Sequence, residues 1–225
     1  FCSLIPKNQI PQFESDWFET AKGIYGLKTD FDKDLFGFYF RSTGINDLEQ
    51  GGFYRTLRKK VQELKGQERT TYIAHVWEQV KEMLRLIKVV NSMDLLKLYQ
   101  GTPGPKTRAI AKVVNVLVRD SWRCFDQYGV IAYGLFFSFN RRNDEEAYLE
   151  FLRDLVNGVR FYVGAFLLGE GANTIRDYTI DIAKGLKQGR SLDDILAENN
   201  RRLDFGSRFN ATPLDRLNIP NNDVS

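Results

Sequence analysis

Trp122–Asn140 reads WRCFDQYGVIAYGLFFSFN, Arg141–Phe151 reads RRNDEEAYLEF, and Leu152–Gly169 reads LRDLVNGVRFYVGAFLLG. Two apolar segments therefore face each other across a charged break, which is how a helical hairpin at the centre of an all-α core is written. Beyond Phe125 the first segment is apolar nearly all round, so burial on several sides is expected. The second carries a stripe at Tyr148, Leu152, Leu155, Val159, Tyr162 and Phe166. Asn143, with Asp144, Glu145 and Glu146 behind it, supplies its cap and acidic first turn.

Working outward, GTPGPKT (Gly101–Thr107) stops one helix and starts the next, with Pro105 suited to a first turn. From Thr107 the apolar positions Ile110, Val113, Val114, Leu117 and Val118 lead straight into the central stretch. Upstream lies the longest periodic segment, from about Glu68 to Tyr99. Tyr72, Val76, Val80, Leu84, Ile87 and Asn91 recur at helical steps, Trp77, Met83 and Val90 widen the stripe, and Asn91–Ser92 offers a break. Asn46 and Glu49 open an earlier helix, weakened by Gly51 and Gly52. Phe36, Phe38 and Phe40 suit one face of a short strand or a loop with aromatic anchors. Downstream, Asn173–Lys187 is amphipathic and closed by Gly189, and Ser191 caps a short helix with Asp194 in the capping-box place. The resulting expectation is one all-α domain over residues 14–203, a bundle of about six or seven helices around the hairpin. Extended arms, 1–13 and 204–225, flank it because both stretches carry prolines and no helical period.

Composition narrows the function. The 225 residues are 43% hydrophobic and 13% aromatic, enough to fill a core, so wholesale disorder is excluded. With 32 basic and 29 acidic residues, the charge is too even to point to nucleic acid. Basic clusters at Arg55–Lys60, Arg141–Arg142 and Arg201–Arg202 read as solvated faces. The longest uncharged runs, Gln127–Asn140 and Phe161–Gly169, fall short of the roughly 20 residues that span a bilayer. No transmembrane span is expected, which leaves peripheral membrane contact open. Cys2 and Cys124 need no disulfide in a chain this size, and Cys124 reads as a small buried hydrophobe. Beginning at Phe1 rather than Met, the sequence fits a processed or organelle-imported form; the compartment stays unknown.

The motifs do not commit the chain to a chemistry. His75 is the only histidine, so His-rich metal sites and His-paired nucleophiles have little to work with. GTPGPKT fails the P-loop pattern, since Pro105 removes the amide before Lys106 and a helix precedes it, although a helix start can hold an anion weakly. Asp193–Asp194 with Glu198 lacks the spacing of an aspartate-rich magnesium motif. Asp177 and Asp181 read as a solvated face, and no Glu-x-x-His pair occurs. An Asn210-Ala-Thr212 sequon matters only on a secreted chain.

Three functions follow as expectations. The leading one is a non-catalytic structural or assembly subunit of a larger complex. Its partners, other protein subunits, would meet the aromatic helix faces and the arm residues Ile5, Ile10, Phe13, Phe205, Phe209, Leu214, Leu217 and Ile219. The second is a binding module for an apolar ligand such as a pigment, lipid or isoprenoid; no other cofactor is expected. Here Gly129, Gly134, Gly158 and Gly164 leave room beside Tyr128, Tyr133, Phe137 and Tyr162, for a ligand, a partner helix or a side chain of the same chain. The third is a metal-dependent helical-bundle enzyme using Asp177, Asp181, Asp193 and Asp194.

Overall fold

The computed structural model describes residues 7–12, 14–15, 39–42, 52–124, 127–140 and 143–204. Over these residues it is all-α, with no strand. Seven longer helices follow one another: α1 (Gly52–Glu63), α2 (Gly66–Asn91), α3 (Pro105–Cys124), α4 (Tyr128–Ser138), α5 (Glu145–Leu167), α6 (Ala172–Lys187) and α7 (Leu192–Leu203). A 3-10 turn, Leu95–Leu98, links α2 to α3. The expected hairpin is α4 against α5, and α6 closes on the other side of α4, with α2 and α3 completing the shell. Tyr128 to Phe136 are all buried. A helix with no polar side can only sit inside such a shell.

Glycines set how closely that shell fits. A Cβ on Gly134 would lie 3.2 Å from the Ala183 Cα of α6, and one on Gly158 would lie 2.9 Å from Ile131 Cγ2. Both glycines thus mark helix crossings at which the neighbour belongs to the same chain. Three buried tyrosines tie the layers through their hydroxyls. Tyr128 donates to the Leu155 carbonyl (3.0 Å), Tyr133 to that of Gln79 (2.7 Å) and Tyr148 to that of Leu95 (2.9 Å). Each can be buried because its one polar atom is paired.

The helix ends follow local chemistry. Gly169 and Gly189 adopt φ of +78° and +82°, and each closes its helix with the paired bonds of a Schellman motif. Ser191 Oγ accepts from Asp194 N and donates to Asp194 Oδ2, so Ser191 caps α7 as expected but the aspartate side chain turns to the hydroxyl instead of the Ser191 amide that a capping box would use. The break expected near Asn91–Ser92 is present as the same C-terminal motif, but with Met93 at φ +59° in the place that favours glycine. Asn115 of α3, fully buried, supports this strained turn. Its Nδ2 donates to the Val90 carbonyl (3.0 Å) and the Met93 sulfur (3.3 Å), and its Oδ1 accepts from Leu95 N (2.9 Å).

Several expectations are corrected. The helix read as continuous from Thr107 into the central stretch is two, α3 and α4. Side chains lean toward a helix N-terminus, so Trp122 could not meet a residue seven positions later within one straight helix. Yet a Cβ on Gly129 would lie 2.8 Å from the Trp122 indole, so α3 and α4 do not share one straight axis. The cap of α5 is Asp144, which accepts from Glu146 N and Ala147 N at 3.0 and 3.1 Å, rather than Asn143. Phe166 ends the α5 stripe 55% exposed. Residues 7–12 are helical rather than extended, a 3-10 turn at Lys7–Gln9 leading into helix at 10–12, where Pro11 falls in a first turn that needs no amide from it. Phe40 sits fully buried in a helical turn at 39–42, where Ser42 Oγ donates to the Tyr39 carbonyl at 2.7 Å, and not on a strand or loop. Phe36, Phe38, Asn46, Glu49, the Cys124 side chain and the sequon lie outside the described residues.

The Gly158 crossing predicts a measurable penalty. Gly158→Ala should lose a net of about 1–2 kcal/mol in urea unfolding, since the clash with stiff Ile131 outweighs the helix-propensity gain. Gly171→Ser, at an open position where the new hydroxyl can cap α6, should be neutral or stabilising.

Candidate interaction surface

α3 turns an unusual pair of faces. Inward it presents Thr107, Ala111, Val114, Asn115, Val118 and Ser121, all buried, so half of its core face is polar. Outward it presents Ala109, Val113, Val116 and Leu117 at i, i+4, i+7 and i+8 spacing. Val113 is 71% exposed, Val116 42% and Leu117 37%. Of the apolar set read from the sequence, Val114 and Val118 enter the core and Ile110 packs at its edge, whereas Val113 and Leu117 face solvent. The polar hub on Asn115 accompanies the inversion: α3 is held by hydrogen bonds together with Ala111, Val114 and Val118, leaving Val113, Val116 and Leu117 outside.

Leu117 continues this stripe into an open groove of about 760 Å³ between α3, α5 and α7, with Arg160, Val163, Gly164, Leu196 and Ala197 among its walls. Cations border the apolar surface. Lys106 and Lys112 on α3 and Arg160 on α5 make no ion pair among the described residues. Of the nearby acids, Asp120 meets Arg119 (2.8 Å), and Asp193 (3.4 Å) shares Arg153 with Glu150 and Asp154. The surface is therefore apolar with a positive margin.

The N-terminal end of α3 holds an anion from its own chain. Glu145 Oε1 accepts from Gly104 N at 2.8 Å and from the Thr107 hydroxyl. These two bonds hold the Glu145 carboxyl below the usual carboxylate range. The GTPGPKT stretch thus does bind a carboxylate, as a latch from α5 to the start of α3.

The other sequence candidates fall as follows. Of the arm residues only Ile10 is among those described, and it is half-buried; Ile5, Phe13, Phe205, Phe209, Leu214, Leu217 and Ile219 lie outside. Of the apolar-ligand set, Tyr128, Gly129, Tyr133, Gly134, Gly158 and Tyr162 are in the core, and only Gly164 reaches the groove. Phe137, 37% exposed, rests edge-on against Tyr133 at 4.5 Å. The four candidate metal ligands do not converge, and no cluster of three or more potential ligands occurs among the described residues. Asp181 meets Arg202 (3.4 Å), Asp177 lies 3.7 Å from Arg176, Asp193 meets Arg153 and Asp194 serves the Ser191 cap. Arg202 and Arg190 also hold Glu198, whose carboxyl lies below its ordinary range because of the Arg190 hydrogen bond first. His75 is exposed, as are Arg55, Arg58, Lys59 and Lys60 on α1. No helix among the described residues is long and apolar enough to cross a membrane.

Compared with protein-family models, curated proteins and solved structures, the chain matches none.

The latch predicts a pH signature. Because its folded carboxyl is depressed, the stabilisation from Glu145 is complete above the unfolded carboxylate range and is lost as pH falls through the lowered folded value. Glu145→Gln should thus be less stable than wild type near pH 7. The gap in urea midpoint should narrow in acid below the usual carboxylate range, and Thr107→Val should reduce the wild-type pH dependence.

Proposed function

We propose that this protein is a non-catalytic assembly subunit that joins a larger complex through the outer face of α3 and the adjoining groove. The observation that carries the reading is the run Val113, Val116 and Leu117, aliphatic, mutually adjacent and open to solvent on a helix already fully held by its other face. Scattered single hydrophobics need no explanation, but a periodic stripe leading into an apolar groove is how a helix presents itself to another protein. The arm anchors inferred from the sequence add contact surface to this reading.

A second reading, an apolar ligand, is favoured by the groove alone. Its volume lies in the usual range for small-molecule sites, about 300–1,000 Å³, and Gly164 opens its floor. Its check is an absorbance spectrum and solvent extract of native material, which should yield a stoichiometric apolar compound.

The assembly reading is tested by Val113→Asp, Val116→Asp and Leu117→Glu combined. Surface changes away from the core typically shift stability by no more than about 0.5 kcal/mol each, so the melting temperature should stay close to wild type. In gentle extracts the wild-type chain should sediment as part of a larger species and the variant as a free chain. Equal sedimentation of the two would defeat the proposal.

A further inference from the structure

Resting on the assembly reading, we propose that the α3 stripe and the α3–α5–α7 groove seat an amphipathic helix from a partner polypeptide, one whose apolar stripe is flanked by acidic residues. Shape argues first. Ala109 to Leu117 extends about 12 Å along α3, and the groove carries the surface on past Leu117, a length suited to a helix of about three turns. The apolar residues of α3 recur at the spacing by which one helix pairs with another, and the groove beside them is concave. A membrane surface is flat and would leave the groove unfilled.

Charge argues second. Lys106, Lys112 and Arg160 border the apolar surface with no carboxylate of their own among the described residues, while Asp120 meets Arg119 and Asp193 shares Arg153 with Glu150 and Asp154. Covering the stripe brings these three cations under a partner, where opposite charges at the rim set register and reject wrong partners. A second copy docked α3 on α3 would present the same cation-bearing margin rather than an acidic one. The chain's own residues 205–225 are a poor complement too. Asp215 and Asp223 are balanced there by Arg208 and Arg216, so the segment offers no acidic excess.

A photo-cross-linking residue placed at Val113 in the full chain, expressed in its native organism, reads the occupant directly. The expected adduct is a peptide of another polypeptide, with apolar residues at three- and four-residue steps and Asp or Glu beside them. Its yield should fall at least tenfold in a Lys112→Glu, Arg160→Glu variant, both positions being exposed and the melting temperature unchanged. An adduct on a second copy, on residues 205–225 or on lipid overturns the proposal. So do the absence of any adduct and a yield that survives charge reversal. Sedimentation of the cross-linker-free chain separates the two levels: if the large species persists alongside any of these outcomes, the acidic helix is wrong and the assembly reading stands.

Discussion

The structure depends on enclosing α4. Tyr128 to Phe136 bury every side chain in succession, and fully burying a large aliphatic or aromatic contributes about 1.5–3 kcal/mol relative to exposure. No single neighbour can cover a cylinder, so α5 and α6 must flank it and α2 and α3 must close the remainder. That geometry dictates the glycines. Gly134 lets α4 approach the backbone of α6 at Ala183, and Gly158 lets α5 approach Ile131. It also dictates how the tyrosines are used. A phenol inside such a shell must find a carbonyl, and Tyr128 and Tyr133 find theirs on different helices, Leu155 and Gln79, which fixes the rotation of α4 between them. Burial drives both phenols' titration upward, so they stay neutral donors through the physiological range.

What could be read from the chain was whatever is local or periodic. The hairpin follows from two apolar runs and a charged break, α2 from its stripe, and the end of α6 from Gly189, because each depends on residues within a turn or two. The turn between α3 and α4 was hidden because continuous apolar periodicity is compatible with either one helix or two. It is decided by Trp122 packing on Gly129, a tertiary contact. Asn115 was missed for the same reason: an asparagine on a helix gives no sign that Val90, Met93 and Leu95, at least twenty residues away, need its amide. Glu145 was read as part of an acidic first turn, and its distinguishing partners, Gly104 and Thr107, are about forty residues upstream.

The candidate surface escaped the sequence in a more instructive way. Val113 and Leu117 carry the same periodicity as Val114 and Val118, and hydrophobicity alone assigns all four to a core. Only the polar residues on the opposite side, Thr107, Asn115 and Ser121, distinguish the buried face, and polar residues are ordinarily taken as the wet side. Where a helix is pinned by a satisfied polar network, the usual inference from hydrophobicity to burial reverses over part of its surface.

That reversal bears on function. The inner face of α3 is fixed by the hub at Asn115 and the latch at Glu145, so the bundle places no demand on what stands at 113, 116 and 117. Lysine or glutamate at Val113 would keep the same helix and improve solubility. Aliphatic side chains at these three positions therefore carry a cost in apolar surface that the isolated bundle leaves in solvent. Neighbouring cations without ion pairs among the described residues add to it, since Lys106, Lys112 and Arg160 border the same surface. Both features are what the proposed partner surface, apolar along its centre and negative at its margin, would complete.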